Sequence, residues 1–174
     1  MVAKREFEPL DGDIAAELFE LTQDRTAAAG LRGYEISNHA APGAESRHNL
    51  TYWRYGDYVG IGPGAHGRRL GSRTVRHRKP ENFLSALSRN GHGIAEEAPL
   101  SAREAADEAL VMGLRLTEGI DAGALEHRFG VPLIDQSAVD RLVRSGHLST
   151  DGYRLSTTPA GRLVLDRILA EIAA

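Results

Sequence analysis

Residues 147–155, HLSTDGYRL, contain the turn that decides the fold of the C-terminal half of the chain. Asp151 and Gly152 favour a two-residue hairpin turn because both residue types tolerate positive φ angles, and short alternating segments flank them. Thr158 and Pro159 then suit the N-cap and the first position of a helix. The stretch therefore predicts two antiparallel strands followed by a closing helix.

Three helices are predicted before this hairpin. Ser101 and Glu104 have the spacing of a capping box at the start of the first helix, Asp121 caps the second, and the third begins near Asp135. Three helices, a hairpin and a last helix are typical of a winged-helix-like domain. We assign that domain to residues 99–174.

The front of the chain, residues 1–92, alternates between helical and strand patterns. The predicted elements are a helix after Asp11 that ends near Gly30, strands at 34–37 and 58–62, and a helix from Pro80 to about Asn90. Such alternation predicts βα units in a parallel sheet, but two or three strands are too few to close a barrel. Residues 91–99 are predicted to be a linker. The expected fold class is therefore α/β.

The composition excludes several kinds of chemistry. The chain has 174 residues and no cysteine, which rules out disulfides, thiolate zinc sites, cysteine nucleophiles and cysteine-ligated iron–sulfur clusters within it. No run approaches the roughly 18 apolar residues of a membrane span, and the first ten residues lack the apolar core of a secretory signal. We expect a cytoplasmic location.

The charge distribution argues against a nucleic-acid partner. The net charge is −3, and residues 101–174 carry 8 arginines against 11 acidic residues, a poor match to a polyphosphate backbone. Residues 68–79 carry six Lys and Arg and no acid. This basic run is interpreted either as a contact for an anion at the end of a glycine-rich segment or as a solvated loop.

Residues 34–67 concentrate the aromatic and histidine side chains. They contain the only Trp, four of the five Tyr and three of the seven His. Flat rings suit a large planar ligand, and an imidazole can bind a metal or transfer a proton. The alternative is that Tyr52 and Trp53 only pack beneath a loop.

Three motifs in this segment resemble one known family. Tyr34-Glu-Ile-Ser-Asn38, the HNxxYW motif His48-Asn-Leu-Thr-Tyr-Trp53, and Gly60-Ile-Gly-Pro-Gly-Ala-His-Gly67 are similar to the HemW-like radical S-adenosylmethionine (SAM) haem chaperones, which are related to oxygen-independent coproporphyrinogen III oxidase. The resemblance extends over residues 10–172. It implies the last βα units of a partial, TIM-like radical SAM barrel followed by a mainly helical, winged-helix-like C-terminal domain.

The resemblance also implies chemistry that this chain lacks. Family members begin with a CxxxCxxC motif whose cysteines hold a 4Fe-4S cluster that binds SAM. Without cysteine the cluster has no site here, so we expect a C-terminal portion without its radical SAM half, inactive by itself and with no catalytic residues. Whether Met1 is a true start is left open.

The family resemblance further implies ligand contacts. The expected haem-binding residues are His48, Asn49, Tyr52 and Trp53, with the His48 imidazole as ligand of the haem iron. The expected SAM contacts are Ala40, Ile61 and His66. Expected partners are haem and haem-accepting respiratory proteins; a peripheral membrane contact and the oligomeric state are left open.

Three functions are compatible with these patterns. The first is haem binding and delivery to respiratory proteins. The second is a fragment of an oxygen-independent coproporphyrinogen III oxidase, an enzyme of oxidative decarboxylation in porphyrin biosynthesis. The third is a winged-helix regulator whose front half senses a ligand.

Overall fold

The computed structural model describes residues 9–174, which fall into two compact units. The first unit ends at Glu45, and the second runs from Ser46 to Ala174. Each unit is described below by itself.

The first unit is a helix beside a small hairpin. Helix α1 (Gly12–Ala28) begins after the N-cap Asp11, and Gly30 follows it at φ 79°, which confirms the predicted helix and its end. Strands β1 (Arg32–Gly33) and β2 (His39–Ala40) pair antiparallel.

The predicted strand at 34–37 is wrong. These residues form the turn between β1 and β2, in which the Tyr34 N–H donates to the Asn38 carbonyl at 3.1 Å. The Glu35 carboxylate accepts hydrogen bonds from the Ser37 N–H and the Asn38 side chain. Local side-chain bonds of this kind compete with strand pairing, so an alternating pattern closes into a turn.

The second unit begins with helix α2 (Arg47–Trp53) and a three-stranded sheet. Strands β3 (His66–Arg69), β4 (Ser72–Arg76) and β5 (Ile94–Pro99) form an antiparallel sheet in the order β3-β4-β5, and helix α3 (Pro80–Asn90) connects β4 to β5. The predicted helix from Pro80 is confirmed.

Several predictions for this region are wrong. The predicted strand at 58–62 is reduced to a single bridge between Tyr58 and Arg68, and β5 occupies most of the predicted linker. The predicted parallel pairing is also wrong, since all strand pairs among residues 9–174 are antiparallel. Between β3 and β4 the antiparallel pairing follows from a two-residue turn. Leu70 and Gly71 form this turn with φ angles of 49° and 75°, and it folds the basic run into a hairpin.

The remaining elements follow the predicted order of three helices, a hairpin and a helical end. They are α4 (Ala102–Gly113), β6 (Ile120–Asp121), α5 (Ala122–Phe129), α6 (Gln136–Arg144), β7 (Leu148–Thr150), β8 (Arg154–Thr157), α7 (Pro159–Leu163) and α8 (Leu165–Ile172). The sheet order is β6-β8-β7, entirely antiparallel. The predicted capping box, the caps Asp121 and Thr158, and the start of the third helix near Asp135 are confirmed. The last helix is interrupted at Val164, where φ is −124°.

The core of the second unit lies mainly in this C-terminal part. Its largest fully buried apolar side chains are Leu110, Leu114, Leu116, Leu133, Val139, Ile168 and Ile172. Each such side chain contributes about 1.5–3 kcal/mol on burial. Within residues 9–174, no helix has both the length and the apolar character needed to cross a membrane.

Candidate functional site

Helix α2 presents the HNxxYW motif. Ser46 caps the helix by accepting a 3.3 Å hydrogen bond from the Asn49 N–H, and the chain leaves the helix through Tyr55, whose φ is 54°. His48 and Tyr52 are four residues apart and therefore share one helix face. Their rings meet edge to face, with centroids 4.6 Å apart and planes at 85°.

A cavity of about 470 Å³ adjoins this face of α2. It is lined by His48, Tyr52, Tyr58, Val59, Gly60, Ile61, Ala65 and His66. The structure thus brings together four of the residues singled out in the sequence: His48, Tyr52, Ile61 and His66. The ring of Tyr58, which was not singled out as a ligand contact, lies 4.3 Å from that of Tyr52.

Two glycines of the GIGPGAHG motif allow the cavity wall to form. A Cβ on Gly60 would lie 2.1 Å from the His66 carbonyl oxygen, and one on Gly67 would lie 2.6 Å from Oγ1 of Thr74. The 58–60 segment can therefore approach β3 closely only because these positions lack side chains. The motif has a steric role here, besides any contact with a ligand.

The other predicted site residues lie elsewhere. Trp53 lines a separate cavity of about 290 Å³ on the other side of α2, and the Arg115 guanidinium lies 4.7 Å from its ring centroid. Asn49 contributes its backbone N–H to the helix cap and does not line the 470 Å³ cavity. Ala40 pairs with Arg32 in the first unit. The HNxxYW motif thus contributes side chains to two different cavities, on opposite sides of α2.

Arg68 and Tyr55 are buried and form a cluster with the partly exposed Glu108, and the sequence patterns did not identify it. The Tyr55 hydroxyl donates to Oε2 of Glu108 at 3.0 Å, and Nη1 of Arg68 lies 3.3 Å from the same oxygen. The Arg68 guanidinium also stacks 3.5 Å from the Tyr55 ring centroid. The only signal in the sequence was an arginine at the start of the basic run.

Burial changes the acidity of two tyrosines in this region. Desolvation, followed by the hydrogen bond to Glu108, raises the pKa of Tyr55 to about 12. Desolvation also raises the pKa of Tyr58, against the opposing effect of the Arg68 charge. Both phenols therefore stay protonated at neutral pH.

A second ionic contact joins the end of α2 to the C-terminal part. Arg54 binds both carboxylate oxygens of Glu118, at 2.9 and 3.0 Å. The Arg154 side chain donates to the carbonyls of Glu118 and Gly119 at 2.8 and 2.9 Å. The Arg54 hydrogen bond is the main cause of the lowered pKa of Glu118.

Two of the six basic residues of the 68–79 run pair with acids of the same sheet. Arg69 pairs with Glu97 at 3.0 Å and Arg73 with Glu96 at 3.5 Å, and both acids lie on β5. Arg76 donates to the Gly60 carbonyl. Part of the run therefore lies on strands that exchange ion pairs, whereas Arg78 and Lys79 follow β4 and are exposed.

The donor groups suit haem and not an iron–sulfur cluster. A haem iron needs one or two axial ligands, and imidazole is a common one; His48 and His66 both border the cavity. A 4Fe-4S cluster needs thiolates, and the chain has no cysteine. The described residues contain no group of three or more His, Asp or Glu arranged to hold a metal ion.

Comparisons with known proteins place the chain in a family. The family model described as HemN C-terminal domain matches residues 100–164. The chain is 35% identical over 176 residues to the mouse "Radical S-adenosyl methionine domain-containing protein 1, mitochondrial", covering 91% of this chain and 39% of that protein. It is 31% identical to "Heme chaperone HemW" of Bacillus subtilis, covering 86% of this chain and 40% of that protein. This chain belongs to the HemW-like radical SAM family.

The match to this family is to its C-terminal portion. The chain spans about two fifths of the length of these two curated relatives. A solved structure with the same fold is that of coproporphyrinogen III oxidase (HemN) from Escherichia coli, described as a radical SAM enzyme. The TM-score is 0.65 at 14% identity, covering 87% of this chain and 39% of that chain. At that identity the likeness concerns the fold alone.

Proposed function

We propose that this chain is the haem-binding C-terminal portion of a HemW-like haem chaperone. The observation that carries the proposal is the 470 Å³ cavity that His48, Tyr52, Tyr58 and His66 line together. Its volume lies within the range of about 300–1,000 Å³ of ligand-binding clefts. The His48 side chain is exposed, so its imidazole is accessible to an incoming iron.

In this proposal each side chain has a defined task. The His48 imidazole binds the haem iron, and the Tyr52 ring packs against the macrocycle. Trp53 supports α2 from its opposite face, and Asn49 contributes to the helix cap. His66, expected as a SAM contact, borders the same cavity.

Haem titration tests the proposal. The purified chain should shift the Soret band of added haem with a one-to-one end point, and His48→Ala should abolish the shift. His92→Ala is the matched control, because His92 is exposed and lies outside the residues that line this cavity. An absent shift in the wild type, or an equal shift in His48→Ala, would reject the site.

The SAM contacts of Ala40, Ile61 and His66 also remain a proposal. Two of these residues, Ile61 and His66, line the same cavity as His48. If they bind SAM, a saturating SAM concentration should weaken haem binding to the chain. Simultaneous binding of both ligands with unchanged affinities would place the SAM contacts elsewhere.

We interpret the C-terminal part as a winged-helix-like domain covering residues 99–174, preceded by the barrel-derived residues 1–92. The helices α4, α5 and α6 and the sheet order β6-β8-β7 support this interpretation, and the family model begins at residue 100. In limited proteolysis we expect the C-terminal part to be the more resistant of the two. A stable fragment of residues 1–90 with a digested C-terminal part would contradict it.

Delivery to respiratory proteins in the cytoplasm completes the proposal. It is supported at the level of the family by relatives named haem chaperones. The alternative, oxidative decarboxylation of coproporphyrinogen III, has weaker support, because the likeness to that oxidase rests on 14% identity. Transfer of haem from the loaded chain to an apo-haemoprotein, followed by absorbance, tests delivery.

A further inference from the structure

We propose that Arg68 is the positioning residue of the haem cavity, and that its ion pair with Glu108 makes haem binding depend on helix α4. The inference rests on the proposed function and goes beyond it. It assigns a role in ligand binding to two residues outside the motifs that suggested haem.

Arg68 contacts both the cavity wall and the end of α2. Its backbone pairs with Tyr58, which lines the cavity, through hydrogen bonds of 2.8 and 3.0 Å. Its Nη2 donates to the Gly56 carbonyl at 3.0 Å, just beyond α2. Its guanidinium stacks 3.5 Å from the centroid of the Tyr55 ring and 5.6 Å from that of Tyr58.

The third contact of Arg68 reaches into the C-terminal part. Nη1 lies 3.3 Å from Oε2 of Glu108, a residue of α4. Tyr55 donates to the same carboxylate oxygen, so Glu108 receives a hydrogen bond from each of the two stacked side chains. One guanidinium therefore joins three separate parts of the chain.

The burial of Arg68 makes this arrangement sensitive to the loss of one partner. Arg68 is 6% exposed, and its charge cannot be solvated where it lies. Glu108 is the carboxylate that the described residues place against it, whereas the neighbouring Arg128 guanidinium, 5.5 Å from the Tyr55 ring, adds charge of the same sign. Only the arginine of this pair is buried, since the Glu108 side chain is 41% exposed. Removing the partner of a buried charge leaves that charge uncompensated.

The effect should reach the ligand through backbone positions. Without Glu108, we expect the Arg68 guanidinium to move away from the Tyr55 ring and the Gly56 carbonyl towards water. Tyr58 and the end of α2 then lose a common anchor, and these two elements carry the cavity rings on either side. The His48 imidazole itself is untouched.

The test compares haem affinity among single substitutions. Glu108→Gln removes the charge opposite Arg68 and should weaken haem binding about fivefold, since the charge roughly doubles the strength of a hydrogen bond. Glu108→Asp, which keeps the charge, should recover part of the loss. The Soret maximum of the bound form should stay at the wild-type wavelength, because the iron ligand is the same.

The matched control is Glu97→Gln, which removes the Arg69 ion pair from the same sheet at an exposed position. Its haem affinity should stay within twofold of the wild type. All affinities are compared at a temperature where circular dichroism reports every variant as folded.

Phenol absorbance provides a readout of the cluster that does not depend on haem. Glu108→Gln should lower the pKa of Tyr55, because the Glu108 hydrogen bond and charge both raise it. A lowered pKa together with unchanged haem affinity would overturn the positioning role alone. An unchanged pKa would show that the cluster is not formed, and no haem shift in the wild type would overturn the proposed function itself.

Discussion

Tyr55 and Glu108 are 53 positions apart in the chain, and the phenol of the first donates a 3.0 Å hydrogen bond to the carboxylate of the second. The bond joins a residue just after α2 to the middle of α4. It also contributes to the raised pKa of a phenol that, with Trp53, lines the 290 Å³ cavity. The segment that carries the HNxxYW motif is thus fixed by a helix of the C-terminal part.

This hydrogen bond predicts a stability change at alkaline pH. The pKa of Tyr55 is raised by burial to about 12 from 10.0, so the folded state holds the proton more tightly than the unfolded state. The corresponding stability is complete below pH 10 and is lost as the pH rises towards 12. Urea unfolding from pH 8 to 11.5 should show a steeper loss in the wild type than in Tyr55→Phe, and parallel curves would contradict the assignment.

Gly60 is predicted to be intolerant of a side chain. Gly60→Ala places a Cβ 2.1 Å from the His66 carbonyl oxygen, so the cavity wall must move. We expect a loss of about 2 kcal/mol or more in the free energy of unfolding. Haem binding should fall with it. Gly123→Ala is the control, because its nearest heavy atom is 3.7 Å away, and equal stability of the two variants would reject the steric role.

Tyr52 and Trp53 are adjacent in the motif, and we predict that they have separable roles. Tyr52→Leu removes a ring from the wall of the cavity and should weaken haem binding with a small effect on stability. Trp53→Phe changes packing under Arg115 and should lower the free energy of unfolding by about 1 kcal/mol while haem affinity stays within twofold. Haem titration and urea unfolding of both variants measure the two effects. The reverse pattern would place the haem on the Trp53 side of α2.

The Arg54–Glu118 pair should add a modest, pH-dependent stabilisation. A double-mutant cycle with Arg54→Ala and Glu118→Ala should give a coupling free energy of about 0.5–1 kcal/mol, as expected of a two-pronged pair with both side chains partly exposed. The hydrogen bond from Arg54 lowers the pKa of Glu118, so the coupling is present at pH 7 and is lost as the pH falls through that lowered pKa. A coupling that persisted at pH 2 would exclude an ionic origin.

The sequence was most informative where local rules apply. The caps at Ser101, Asp121 and Thr158 could be predicted because an N-cap depends on a side chain and the next three residues. The helix from Pro80 has the same local basis. The hairpin also forms, but its two turn residues are Gly152 and Tyr153, because Asp151 faces Arg154; the predicted Asp151-Gly152 turn is therefore wrong by one residue. Family membership also followed from contiguous motifs, since those are readable one residue at a time.

The sequence failed where strands had to find partners. Residues 34–37 alternate like a strand but close into a turn. Residues 94–99 have the composition of a linker but pair with β4. Alternation of apolar and polar residues indicates that a segment can be extended. It does not indicate which strand will pair with that segment through backbone hydrogen bonds. The expected parallel sheet was lost for the same reason.

The candidate site divides in the same way. The sequence by itself determined the family, the absence of cysteine, and the set of aromatic and imidazole groups available to a planar ligand. Only the tertiary structure decided that His48, Tyr52, Ile61 and His66 border one cavity while Trp53 borders another. It alone brought Arg68 to Glu108, 40 positions away, because a buried guanidinium is placed by the long-range packing that provides its counter-charge.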